Sequence, residues 1–208
     1  MPARSRTTPR KLPKQERSRA VVDVLLEATA RILQTEGARR ATTNEIARVA
    51  GVSVGSLYQY FPNKEALLAA LIERKVELDL AELSESVMQH VERPLPLFVR
   101  GIVDAMIALH RRDRGLLRAL LELVPQVGRY DRVRQLAAQG RELLKAVMAA
   151  RSEELREGLD LEIAAFITGR AVEELIHAAV LEKPELLESE PFADELTLLL
   201  LRYLSRTP

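Results

Sequence analysis

The chain has 208 residues, 47% of them hydrophobic, enough for one large domain or for a small one joined to a larger one. It has no cysteine, which excludes disulfides, thiolate metal sites and cysteine nucleophiles. The formal net charge of +1 hides an asymmetry: residues 1–75 carry 14 Lys and Arg against 7 Asp and Glu, and residues 76–208 carry 17 against 23. A basic first third on an acidic remainder fits a head that faces a polyanion, although charge alone leaves a chance imbalance as the other reading. Aromatics are 4% and tryptophan is absent, so the core must be Leu, Ala, Val and Ile. No run of alternating β-branched residues lies between turn signals, and an all-α fold is expected. The N-terminal stretch is charged and proline-punctuated, without the apolar run of a secretory signal. The most apolar run, Leu196 to Leu204, is less than half of the roughly 20 residues a bilayer-spanning helix needs. A cytoplasmic protein with no membrane partner is expected.

In chain order, residues 1–17 hold six basic groups, one Glu and three prolines. Such a segment buries too little apolar surface to fold alone. It reads either as an inert tail or as an arm that follows a nucleic-acid backbone. The first helix is expected from Ser18 to Glu36, with Val22, Leu25, Leu26, Ile32 and Leu33 at helical spacing and Gly37 as its stop. A second covers Thr43 to Ala50, where Thr42 and Glu45 fit a capping box, and ends at Gly51. Ser53 can cap a third, Val54 to Phe61, closed by Pro62. A long helix follows Asn63 towards Val91, with a break near Ser84 as an alternative. Unbroken, at ~1.5 Å per residue, it spans roughly 40 Å. Further helices are expected at about 96–110, 114–123, 130–156, 160–182 and 190–205, separated by prolines and glycines.

The informative run is TNEIARVAGVSVGSLYQYFP, Thr43 to Pro62. Two short helices cross at a sharp angle when the crossing residue is small and the turn accepts a left-handed backbone. Ala47 meets the first need and Gly51 the second. Ile46, Val52 and Leu57 then point inward and pin the pair, the pattern of a helix-turn-helix. The second helix of such a pair places its N-terminal half in a major groove. Here that half offers Val54, Gly55 and Ser56, with Gln59 one turn on. Ser56 and Gln59 can bond base edges, Val54 can touch a thymine methyl, and Gly55 lets backbones approach. Thr42, Thr43, Tyr58, Tyr60 and Lys64 carry hydroxyls and an ammonium suited to phosphates. For Tyr58 and Tyr60, plain packing is the other reading, and capping already explains Ser53.

The run TTNEIARVAGVSVGSLYQYFPNKEALLAAL resembles the DNA-binding segment of the TetR family of bacterial regulators. The match runs from Thr43 through Gly51, Ser53, Gly55, Tyr58, Phe61 and Lys64 to Leu67, and with the preceding helix covers about residues 18–75. It departs at Tyr60, where the family often has His. The resemblance implies a helix-turn-helix domain over 18–65, following the arm at 1–17, and a helical effector-binding and dimerisation domain over 66–208. It implies phosphate contacts from Thr43, Tyr58, Tyr60 and Lys64 and base readout from the Val54–Gln59 surface. It also implies a homodimer on a palindromic double-stranded operator, most often a repressor released by a small-molecule effector, with the long helix after Asn63 as the lever.

The last two helices argue for oligomerisation independently, because their apolar residues point all round the axis and a helix of that kind is covered on more than one side. Ala165, Gly169, Val172 and Ile176 on the first, with Leu196, Leu200, Tyr203 and Leu204 on the second, are the expected dimer residues. The other reading has both helices central in one subunit. For an effector pocket the candidates are Phe98, Met106, His110, Tyr130 and Phe166, each of which also reads as plain core. Arg170, Glu173, Glu174 and His177 form a polar stripe, read either as a solvated ion-paired face or as a patch in a pocket or seam. His90, His110 and His177 are far apart in sequence without cysteine companions, so no metal site and no cofactor are expected. An all-helical enzyme would need a convergent acid, base or nucleophile. The sequence holds no glycine-rich phosphate loop, His-Glu-x-x-His or Gly-x-Ser-x-Gly. A helical adaptor that binds only protein would not need the basic head.

Overall fold

The computed structural model describes residues 16–127 and 131–206. They form nine α-helices: α1 (Glu16–Glu36), α2 (Thr43–Ala50), α3 (Val54–Tyr60), α4 (Lys64–His90), α5 (Leu95–Arg112), α6 (Arg114–Val127), α7 (Asp131–Ala150), α8 (Leu161–Glu182) and α9 (Glu190–Leu204). The only extended pairing among the described residues is a single antiparallel bridge between Leu155 and Ser205. No described helix is long and apolar enough to cross a membrane. The basic segment before Glu16 and the pocket candidate Tyr130 lie outside the described residues.

The helix ends follow local chemistry. Gly37 (φ 78°) and Gly51 (φ 68°) take the left-handed conformation that stops α1 and α2. Ser53 Oγ accepts from the Ser56 N–H at 3.0 Å, and Asn63 Oδ1 accepts from the Ala66 N–H at 2.8 Å, so α3 and α4 both start under a side-chain cap. The expected capping box on α2 is only half formed. Thr42 Oγ1 accepts from the Glu45 N–H at 3.2 Å, but the Thr42 N–H donates to the Arg40 carbonyl. The Glu45 carboxylate turns instead to Arg48, whose Nε donates to it at 2.9 Å. α4 runs unbroken past Ser84, whose hydroxyl donates to the Leu80 carbonyl at 2.7 Å. α7 ends at Ala150, six residues before the expected 156, because the chain turns there into a 3-10 turn over Ser152–Glu154.

Two compact units result. The first comprises the described residues up to Val76 together with 115–133, so it extends beyond the expected 18–65 and takes in α6. Its core is continuous: Leu25, Ile32 and Leu33 of α1, Ile46 of α2, Leu57 of α3, and Leu67 and Leu71 of α4 are buried together with Leu116 and Leu120 of α6. Of the Leu, Ala, Val and Ile expected from composition, Leu, Ala and Ile make up this core, joined by Tyr60 and Phe61.

The second unit holds residues 77–114 and the chain from 134 on. α5 packs on α8 and α9. Arg100 on α5 bonds Asp104 on its own helix at 2.8 Å and Asp194 and Glu190 on α9, and these carboxylates, Asp104 first, raise its pKa above the ordinary arginine value. A second arginine closes the other end. Arg151, 9% exposed, donates through Nη1 to Glu154 at 2.6 Å and through Nη2 to the carbonyls of Val91 and Arg93. Glu154 in turn accepts from the Leu95 N–H at 2.9 Å, capping the proline-led start of α5.

Candidate DNA-binding surface and effector cavity

In the first unit α2 packs on α3, and Ala47, Ile46 and Leu57 are all buried. The remaining side chains of α3 split by helical phase. Leu57 and Tyr60, three apart, are buried in the core, Val54 packs against it while half-buried, Ser56 is half-buried, and Gly55, Tyr58 and Gln59 are exposed. Gly55 meets only Ser53 Oγ, at 3.8 Å from the position of an added Cβ, so the protein itself tolerates a side chain there. The Ser56 hydroxyl lies 2.8 Å from that of Ser53, and Gln59 is exposed.

Thr43 and Tyr58 come together: their hydroxyls are 3.2 Å apart, and Tyr58 is 42% exposed. Tyr60 differs. It is 9% exposed and belongs to the core, because it shares a helix face with Leu57; of the two readings of Tyr60, phosphate contact and plain packing, its burial favours packing. Lys64 is also engaged, its Nζ donating to the Ala38 carbonyl at 3.0 Å, which ties the start of α4 to the turn between α1 and α2. That turn presents Arg39 and Arg40, both exposed, which the sequence reading passed over. Arg48 is held by Glu45, whose pKa is lowered chiefly by that hydrogen bond, so the pair adds little net charge to the surface.

The second unit contains a cavity of about 90 Å³ between α5, α7, α8 and α9. Phe98 and Met106 line it; the other pocket candidates with described positions do not. Phe166 is 55% exposed, and Arg170 and Glu174 form an ion pair on the outside of α8. His110 and His177 meet at a tilt, with 5.5 Å between ring centroids. Burial lowers the His177 pKa, with Glu173 and Glu174 opposing the shift. The cavity walls instead include Leu144, Met148 and Arg151 of the α7 end and Thr168 and Gly169 of α8. Arg151 carried no sequence signal: it stands at the end of a helical stretch like any solvated arginine.

The expected dimer residues also need correction. Ala165, Val172, Ile176, Leu196, Leu200 and Leu204 are buried within the subunit, and Gly169 faces the cavity. Tyr203 is half-buried, its ring 5.3 Å from the Arg156 guanidinium. The exposed large apolar residues on these two helices are Ile163, Phe166, Ile167, Leu175 and Leu181 on α8 and Leu198 and Leu199 on α9. An apolar ring round a helix says that two sides are covered; it does not say which side faces the subunit's own core.

The family described as bacterial regulatory proteins, tetR family, matches residues 25–71, and the tetracyclin repressor-like C-terminal domain matches residues 94–204. A nucleoid occlusion factor SlmA from Haemophilus ducreyi is 35% identical over 114 residues, covering 53% of this chain and 54% of that protein. The SlmA of Vibrio campbellii is 31% identical over 144 residues, covering 64% and 68%. The chain thus spans about half the length of the first of these relatives and two thirds of the second. Among solved structures, a tetR-family regulatory protein from Rhodococcus RHA1 is similar with a TM-score of 0.66 at 18% identity, covering 90% of this chain and 98% of that one. The transcriptional regulator FadR from Bacillus subtilis, in complex with stearoyl-CoA, is similar with a TM-score of 0.67 at 18% identity, covering 86% and 96%. At these identities the likeness is one of fold.

Proposed function

The chain belongs to the tetR family of bacterial regulatory proteins, and we propose that it is a homodimeric, sequence-specific DNA-binding transcriptional regulator, a repressor released from a palindromic operator by a small molecule. The observation that carries DNA binding is the outer surface of α3. Gly55 and Gln59 are exposed and Val54 and Ser56 partly exposed, Val54 also touching the core, on a helix fixed by its own cap and by Leu57. In this reading Gln59 and Ser56 bond base edges, Val54 meets a thymine methyl, and Gly55 keeps the surface low enough for a groove. Thr42, Thr43 and Tyr58 approach the phosphates.

The dimer reading rests on the exposed apolar side chains of α8 and α9, which pack on each other. Large apolar patches on a subunit mark an interaction site, and a second copy would cover Phe166, Ile167, Leu198 and Leu199. Two heads about 34–36 Å apart then match successive major grooves. The effector reading rests on the apolar cavity of the second unit, and a similar fold holds stearoyl-CoA in the Bacillus subtilis FadR. The cytoplasm, where the operator is, is the place of action.

Selection of duplexes from a random pool, followed by fluorescence anisotropy, tests the reading. A palindromic sequence should emerge, bound by two protomers, with affinity falling steeply as salt rises. Binding that shows no sequence preference, or none at all, overturns it. The identity to nucleoid occlusion factors favours a second reading, in which DNA binding marks the nucleoid. Occupancy spread over many chromosomal sites, against a few promoters, separates the two.

A further inference from the structure

We propose that α8 packs antiparallel on the α8 of a second copy, about a two-fold axis level with Val172, where Arg170 of each copy pairs with the partner's Glu174. The inference rests on the homodimer reading and names the register of its interface. The outward face of α8 mixes two chemistries. Ile163 and Phe166 near its start and Leu181 near its end are exposed apolar side chains. Between them stand Arg170 and Glu174, both exposed. At about 100° per residue, Ile163, Arg170, Glu174 and Leu181 fall within about 20° of one line along the helix. Their order on that line is apolar, cation, anion, apolar, at steps of seven, four and seven residues. The spacing is the same from either end.

That symmetry decides how two copies can meet, because a two-fold interface is self-complementary. With α8 antiparallel to itself and the axis at position 172, Ile163 meets the partner's Leu181, and Arg170 meets the partner's Glu174, each twice over. A parallel pairing sets arginine against arginine and glutamate against glutamate. An axis moved to the level of Arg170 or of Glu174 brings that residue against its own copy. Within the subunit Arg170 bonds Glu173 at 2.8 Å and also Glu174. Glu173 can thus hold the guanidinium on its own helix while Glu174 turns to the partner's arginine. Charges enter an interface at tolerable cost only when they are paired, and this register pairs them. The apolar ends then supply affinity, and the central charges fix orientation.

The test uses the full chain in sedimentation experiments. Arg170→Glu and Glu174→Arg each set like charges across the axis twice, so each should raise the dimer dissociation constant about a hundredfold or more. Mixed in equal amounts, the two variants should form a heterodimer close to the unmodified dimer in affinity, since every facing pair is then opposite in sign. Both positions are exposed, and the melting temperatures should change little. Unimpaired homodimers of both variants, or a mixture that stays monomeric, overturn the register. A second measurement does not depend on the charges. The chain has no cysteine, so Ile163→Cys, Glu174→Cys and Leu181→Cys can each carry one nitroxide. The distance between the two labels of a dimer should be shortest at position 174 and longer at 163 and 181, by symmetry about 27 Å along the helix for both. A distance that changes steadily from 163 to 181 overturns the antiparallel arrangement. An unmodified chain that is monomeric sinks the homodimer reading together with this one, whereas a dimer indifferent to charge reversal leaves that reading standing and removes only the register.

Discussion

The Thr43 and Tyr58 hydroxyls lie 3.2 Å apart, joining the first residue of α2 to the outer face of α3. The contact holds the tyrosine across the helix pair at the edge of the proposed base-reading surface, where a phosphate can take the place of either partner. Tyr58→Phe removes one hydroxyl from a site that contributes nothing to the core. Hydrogen bonds to charged groups are worth about 1.5–3 kcal/mol, so affinity for every duplex should fall at least tenfold while the melting temperature stays put. Anisotropy titrations beside thermal melts check this; a matching loss of stability would make the tyrosine a packing residue after all.

Lys64 bonded to the Ala38 carbonyl at 3.0 Å steadies the turn that carries Arg39 and Arg40. With the lysine so placed, the exposed Arg39 is the better-presented cation. Arg39→Gln should weaken all sequences alike and reduce the slope of log affinity against log salt by about 0.9, the share of one phosphate. Gln59→Ala should instead reorder the preference among duplexes and leave the slope alone. Titrations at four or five salt concentrations distinguish the two, and an unchanged slope for Arg39→Gln removes it from the contact surface.

What could be read from the sequence and what could not divide along the range of the interaction. Gly37, Gly51, Ser53 and Asn63 end or start helices through backbone groups three to five residues away, and such chemistry is written locally. So is the split of Leu57 from Gln59, which helical phase alone decides. The inward face of α8 was not legible, because Ala165 and Ile176 alternate with Ile163, Phe166 and Leu175 around an axis with little preferred side. Arg151 was hidden for a different reason: its partners at Val91 and Arg93 lie about sixty residues away in the chain. Tyr60 stayed open between packing and phosphate contact because an aromatic hydroxyl looks alike in a core and on a surface.

The oligomeric state should depend on the outward side chains of α8 and α9. Phe166→Glu and Leu199→Arg, at positions 55% and 50% exposed, should each leave the subunit folded and shift sedimentation from dimer to monomer, with DNA affinity lost in parallel. Ile176→Glu, at a fully buried position, should instead unfold the second unit, because it buries an unpaired charge. Dimers that persist in both surface variants would move the interface elsewhere.

Gly101 packs against the His90 ring so closely that an added Cβ would fall 2.3 Å from Cδ2. The ring is held by its Nδ1 contact with the Ser86 carbonyl at 2.8 Å, so relief requires breaking that bond or moving α5. Gly101→Ala should therefore cost about 1–3 kcal/mol, despite the helix preference of alanine. His90→Ala in the same chain should restore part of the loss, since the two changes share one contact. Denaturant midpoints of the two single variants and the double variant measure the coupling, and strictly additive values would separate the two residues.

His177 makes the stability of the second unit depend on pH with a defined sign. Burial disfavours its charged form and lowers its pKa; Glu173, Glu174 and Asp79 pull the other way, and Arg170 adds to the lowering. The His110 ring, 5.5 Å distant, faces it from α5. A histidine that titrates lower in the folded than in the unfolded chain leaves the unfolded chain binding more protons below the ordinary value of about 6.5. Its contribution is thus complete above that value and declines as the pH falls towards the lowered one. The melting temperature should drop between pH 7.5 and pH 5.5, and His177→Gln, which cannot be protonated there, should show a smaller drop. Equal drops in the two proteins would assign the dependence to other groups, with His110 the next to replace.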